Sequence, residues 1–81
     1  MESSMKELLA YIAGNLVENP DAVKVDAHEK EEGHIVFELR VAPEDMGKVI
    51  GRQGRTAKEI RTLMKSAAIK QGKKVTVEIV D

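Results

Sequence analysis

Gly51-Arg52-Gln53-Gly54, entered through Val49-Ile50 and left through Arg55-Thr56, combines residue types and spacing that could do chemistry. Two glycines bracket two donor-rich side chains. Without a Cβ, glycine lets a backbone pass very close to another chain. A helix that begins at the second glycine directs its unsatisfied N–H groups and positive dipole end into the same loop. That arrangement takes a phosphate, and Arg52 and Arg55 add full charges to it. The competing reading is a plain helix–loop–helix turn that needs glycine only for its dihedral angles. Such a turn has no need of two arginines beside it.

Other chemistries find little support. There is no cysteine, so a disulfide frame, a thiolate metal site and a thiol nucleophile are all excluded. His28 and His34 flank a polar turn with Glu29 nearby and could lie close together. A catalytic zinc usually takes three protein ligands in fixed geometry, so an exposed pair is expected and no metal site. No serine or threonine has an evident base and orienting group. Helix capping accounts for Glu44 and Asp45. Neither an enzyme, a cofactor nor a small-molecule substrate is expected.

Elements that position the loop follow from periodicity. Met5, Leu8, Leu9, Ile12 and Leu16 recur at helical spacing behind a Ser4/Glu7 capping box, and Asn19-Pro20 ends that helix. Tyr11 flanks its apolar stripe and is expected to be half-buried. Val23, Val25 and Ala27 alternate with polar residues as one strand. After a turn at residues 30–33, Ile35, Phe37, Leu39 and Val41 alternate as a second, which predicts an antiparallel hairpin. Ala42-Pro43-Glu44-Asp45 starts a short helix that stops at Gly51. Thr56, Ile60, Leu63, Met64 and Ala67 line one face of a longer helix closed by Gln71-Gly72. Val75, Val77 and Ile79 form a last strand. The order α-β-β-α-α-β predicts a single α+β domain over residues 1–81, with helices on one face of a three-stranded sheet.

The net charge of −1 conceals a strong asymmetry. Residues 1–39 carry three basic against nine acidic side chains, whereas residues 40–74 carry ten basic against three acidic. The basic segment coincides with the glycine loop and the helix after it, so the local field there attracts phosphate. The amino terminus lacks a basic region followed by a long apolar run, and nothing approaches a membrane span. A cytoplasmic protein is expected.

This element order, with Gly-Arg-Gln-Gly between the second and third helices, resembles a type II KH domain. The run Met46 to Thr56, continuing to Ile60-Arg61, is most similar to the small single-domain bacterial KH proteins of the KhpA type. The resemblance covers nearly the whole chain and implies binding of single-stranded RNA. In such domains the G-x-x-G loop clamps the backbone of about four nucleotides. By that resemblance Gly51 and Gly54 allow backbone contact, and Arg52 and Gln53 donate to phosphate or sugar oxygens. Lys48 and Arg55 reach adjacent phosphates, with Lys58 and Arg61 in electrostatic support. Ile50 lines an aliphatic groove, and Val36 is a second candidate for it, although a lone exposed aliphatic is ordinary. With Tyr11 and Phe37 as the only aromatics, stacking platforms of the RRM kind fit poorly.

The resemblance also implies a homodimer, or a heterodimer with a larger KH-containing protein of the Jag type. Ile69, roughly opposite Ile60 on the helix, either packs against the end of the sheet or marks a partner surface together with any uncovered part of Leu63 and Met64. A domain whose main ligand is protein is therefore the alternative. Less favoured is a helix-turn-helix DNA binder using residues 55–71, since the hairpin and last strand fit it badly. The clamp reading predicts that aspartate at both loop glycines preserves the fold and abolishes RNA binding.

Overall fold

Residues 2–80 are described by the computed structural model, with side chains from Ser4 onward. The order is helix α1 (Glu2–Leu16), strands β1 (Lys24–Glu31) and β2 (His34–Arg40), helices α2 (Met46–Ile50) and α3 (Arg55–Ile69), and strand β3 (Lys74–Val80). Single 3-10 turns at Pro20–Ala22, Pro43–Asp45 and Arg52–Gly54 join them. This is the expected α-β-β-α-α-β succession.

The sheet is mixed, in the order β1-β2-β3. The hairpin pairs β1 and β2 antiparallel, and β3 lies parallel to β2. A parallel neighbour needs a crossover, which α2, the loop and α3 supply. The hairpin turn is tighter than residues 30–33: pairing runs to Glu31↔His34, with a register shift between Glu29 and Glu31. Odd-numbered strand residues Val25, Ile35, Phe37, Leu39, Val75 and Val77 face the helices. They form one core with Met5, Leu9 and Ala13 of α1, Val49 of α2, and Ile60, Met64 and Ala68 of α3. A side-chain period of two on strands and 3.6 on helices produces this partition.

Several expectations need correction. Because α1 begins at Glu2, Ser4 lies inside the helix instead of capping it; burial of Met5 anchors the first turn. Tyr11 is 72% exposed, because it projects away from the line of Met5, Leu9 and Ala13. On α3 the buried line is Ala57, Ile60, Met64 and Ala68, rotated from the expected Thr56–Leu63–Ala67 side. Among the described residues, no helix is long and apolar enough to cross a membrane.

Asp45 is the one buried charged residue among those described. Its carboxylate accepts from the backbone N–H of Glu18 (3.2 Å) and Asn19 (3.0 Å) and from the Asn19 side-chain amide (3.0 Å). Burial alone would raise this carboxyl. The bonds from Asn19 and Glu18, with Lys48 nearby, outweigh it and hold the group below its ordinary value. Asp45 thus does more than complement a helix dipole: it pins the start of α2 to the chain leaving α1.

Candidate functional site

The loop is built by left-handed or glycine-only conformations at Gly51, Gln53 and Gly54. Helix α2 closes on Gly51, whose N–H donates to the Gly47 carbonyl at 2.9 Å. Gly51 then adopts φ 77°, ψ 173°, a region essentially reserved for glycine. A Cβ there would stand 2.7 Å from Thr56 Cβ and 2.9 Å from Thr56 N. Gln53 follows at φ 57°, ψ 25°, the only non-glycine residue with positive φ among those described. Gly54, at φ 75°, ψ 13°, donates to the Gly51 carbonyl at 3.1 Å and caps α3.

The two glycines therefore differ. Gly51 is required by its own dihedral angles and by contact with Thr56. At Gly54 a Cβ would meet nothing within 4 Å, which leaves its backbone open to an approaching chain. Aspartate at Gly51 would distort the loop, so the expectation that both substitutions preserve it is withdrawn. Gly54 caps α3 without a side-chain hydrogen bond, so the first-turn N–H groups meet no capping oxygen there.

Side chains around the loop are exposed. Arg52 and Gln53 project from the turn, and Arg55 Nη2 donates to Gln53 Oε1 at 3.4 Å. Lys48 Nζ lies 3.7 Å from Glu18 Oε2, a solvated pair that phosphate can replace. Ile50, 39% exposed, presents an aliphatic surface immediately before Gly51. Ile50 thus directly precedes the loop, Lys48 on the same short helix engages Glu18, and Lys58 places a further charge on α3.

Arg61 is placed differently from a free supporting charge. Its Nε donates to the Val77 carbonyl at 3.1 Å, tying α3 to β3. Arg61 and Lys65 form one wall of a trough whose other wall is Val75, Thr76 and Val77. Lys65 and the β3 edge were not expected here; the spacing of Lys58, Arg61 and Lys65 on one helix side is the signal that could have found them.

Other candidates separate from the loop. Val36 is only 8% exposed and stands outside the core cluster, on the sheet face away from the helices. It cannot share a groove floor with Ile50, because strand alternation points it to the opposite side. Met64 is fully buried in the core and presents nothing to a partner, whereas Leu63 and Ile69 are 53% and 73% exposed. His28 pairs with Glu38 at 3.5 Å and His34 Nε2 with Thr76 Oγ1 at 2.8 Å, so the two rings are engaged separately.

A family model described as the KhpA/KhpB KH domain matches residues 6–79. The RNA-binding protein KhpA of Clostridium perfringens is 59% identical over 76 residues, which cover 94% of this chain and 100% of the relative. That of Caldanaerobacter subterraneus is 59% identical over 78 residues, with 94% and 100% covered. Among solved structures, Era in complex with MgGDPNP and a segment of 16S ribosomal RNA superposes with a TM-score of 0.65 at 22% identity. The likeness covers 93% of this chain and 28% of that one, and at such identity it speaks to the fold alone. The fold is that of a type II KH domain.

Proposed function

The chain belongs to the KhpA/KhpB family of KH domains, and we propose on that premise that it binds single-stranded RNA by its backbone. It acts in the cytoplasm as an RNA chaperone, regulator or assembly factor, with residues 1–81 as one KH domain. The observation that carries this reading is the loop itself. Gly54 leaves the backbone open at the start of α3, and Arg52, Gln53 and Arg55 beside it in the chain carry exposed donors. Relatives bearing the name RNA-binding protein support it.

In this reading phosphate oxygens approach Gly54 and the first-turn N–H groups of α3, while Arg52 and Gln53 donate from one side. Gly51 shapes the loop and, with no Cβ, lets the RNA backbone come close. Arg55 and Lys48 take neighbouring phosphates, Ile50 supplies apolar contact to a base, and Lys58 and Arg61 add field along the trough.

The test is fluorescence anisotropy of short labelled single-stranded RNA with wild type, Gly54→Asp and Arg52→Glu. Aspartate tolerates the left-handed conformation at Gly54 better than most residues, so circular dichroism should remain unchanged. Binding should fall at least about tenfold in each variant, since each turns an attraction for phosphate into repulsion. Full affinity in a folded Gly54→Asp protein would overturn the clamp.

A second reading concerns partners and is compatible with the first. Leu63 and Ile69 expose large aliphatic surface on α3, and we propose that this helix contributes to a homodimer or to a heterodimer with a larger KH-containing protein. Leu63→Glu should shift sedimentation of an associated species to monomer without changing the circular dichroism spectrum. A wild type that sediments as monomer and captures no KH-containing partner removes this reading.

A further inference from the structure

Of the threonines in the chain, Thr62 and Thr76 have their hydroxyls engaged within the fold. Thr62 Oγ1 donates to the Lys58 carbonyl at 3.0 Å, and Thr76 Oγ1 pairs with His34 Nε2 at 2.8 Å. Thr56 differs, because its hydroxyl bonds to no other described residue. Nor is that hydroxyl sealed in: Thr56 is half-buried, and among the described residues the buried side-chain oxygen without a partner is Gln71 Oε1. With the buried line of α3 running through Ala57, Thr56 also stands outside the core cluster.

Its place is where the end of α2 meets the start of α3. Thr56 is the second residue of α3, which begins at Arg55, and helical side chains lean toward the N-terminus of their own helix. Thr56 Oγ1 and Cβ accordingly lie over Gly51, on the side a Cβ there would occupy. The Thr56 N–H belongs to the first turn, whose donors meet no capping side chain. One residue thus brings a hydroxyl and an N–H to the two glycines.

Acceptance is what the hydroxyl adds. Arg52, Arg55 and Lys48 carry side-chain donors only. Gln53 Oε1 already accepts from Arg55 Nη2 at 3.4 Å. Donors suit phosphate, but a ribose 2′-hydroxyl both donates and accepts, and it is the group that distinguishes RNA from DNA. Thr56 Oγ1 has both capacities and neither is in use.

We propose that Thr56 accepts a hydrogen bond from the 2′-hydroxyl of a nucleotide held at the loop, and so makes the clamp favour RNA over DNA of the same sequence. The inference rests on the RNA-binding reading above. DNA presents the same phosphates to Arg52, Arg55 and the first turn of α3, so those groups do not draw the distinction. The competing role for Thr56 is shape alone, its Cβ and methyl group filling the hollow over Gly51.

The experiment measures fluorescence anisotropy with wild type, Thr56→Val and Thr56→Ser on one sequence of about four nucleotides, made as RNA, as DNA and as 2′-fluoro RNA. Valine keeps the branched shape over Gly51 and removes the hydroxyl; serine keeps the hydroxyl and removes the methyl group. Fluorine preserves an RNA-like sugar pucker but donates nothing, which separates the hydroxyl from backbone shape. Wild type should bind RNA about fivefold more tightly than DNA or 2′-fluoro RNA, the effect of one neutral hydrogen bond. Thr56→Val should bind all three alike, near the affinity of wild type for DNA, and Thr56→Ser should keep the preference. A Thr56→Val protein weakened by the same factor on RNA and DNA assigns Thr56 to shape and overturns the proposal. So does a wild type that holds RNA and 2′-fluoro RNA equally, a comparison that needs no variant to fold. If wild type binds none of the three, the RNA-binding reading fails and this contact with it. Equal binding of all three by wild type removes only the 2′-hydroxyl contact.

Discussion

At Gly51 the backbone takes φ 77°, ψ 173° and a side chain would run into Thr56, whereas at Gly54 the left-handed turn faces open space. Alanine separates the two roles. Gly54→Ala should cost about 1–2 kcal/mol, the ordinary penalty of a left-handed residue. Gly51→Ala should cost about 3 kcal/mol or more, since the glycine-only region and the contact with Thr56 add. Urea titration measures both, and equal costs would show that the loop relaxes away from Thr56. Gln53 shares the left-handed conformation without being glycine, so its strain is held at the very turn expected to meet RNA. Its presence is legible in the sequence only as a polar residue between glycines; its dihedral angles are not.

Among the elements, α3 carries most of the argument because its faces do different work. Met64 is fully buried while its neighbour Leu63 is 53% exposed. Met64→Ala should lower stability by about 2–5 kcal/mol through lost burial and a cavity, and Leu63→Ala by under about 1 kcal/mol. Thermal and urea unfolding distinguish them. Sequence periodicity located this helix but set its buried line wrongly, toward Thr56, Leu63 and Ala67 in place of Ala57 and Ala68. Small alanines lie beneath the sheet-facing side because close packing there excludes larger groups, and a hydrophobicity pattern gives such residues little weight. The short α2 depends on a single anchor, Asp45, whose carboxyl is held below its ordinary value by bonds from Asn19 and Glu18. A depressed pKa contributes stability that is fully present above the unfolded value and is lost as pH falls through the folded one. Wild type should therefore lose stability below about pH 4. Asp45→Asn should be less stable near neutrality and show a shallower acid dependence. Parallel acid profiles for the two proteins would remove Asp45 from that transition.

Across the molecule, charge is divided by layer as well as by sequence position. On the outer sheet face Asp26, Glu38 and Glu78 stand abreast in register, while the loop and one side of α3 carry Arg52, Arg55, Lys58, Arg61 and Lys65. The acidic row repels a polyanion from the sheet, and the basic side draws it toward the loop. A total near zero therefore does not oppose RNA binding. Salt dependence should nonetheless be moderate. A clamp on about two to four phosphates predicts a log–log slope of roughly −1.5 to −3 on RNA confined to the loop, measurable by anisotropy across potassium chloride concentrations. A slope near zero would be incompatible with backbone recognition.

The order of elements, the loop and the excess of cations around it were all determined by the sequence, because each rests on local chemistry. Glycine and arginine at fixed spacing, alternation on strands, and helical periodicity act within a few residues of one another. Tertiary structure decided what depends on distant segments meeting. It placed β3 parallel to β2, turned Val36 away from the loop, buried Met64, brought Asp45 against Glu18 and Asn19, and set Arg61 on the Val77 carbonyl. Such contacts join residues 16 to 27 or more positions apart, and no local preference encodes them. They arise when the helices and strands bury their apolar faces together, which fixes every remaining side chain relative to that shared core.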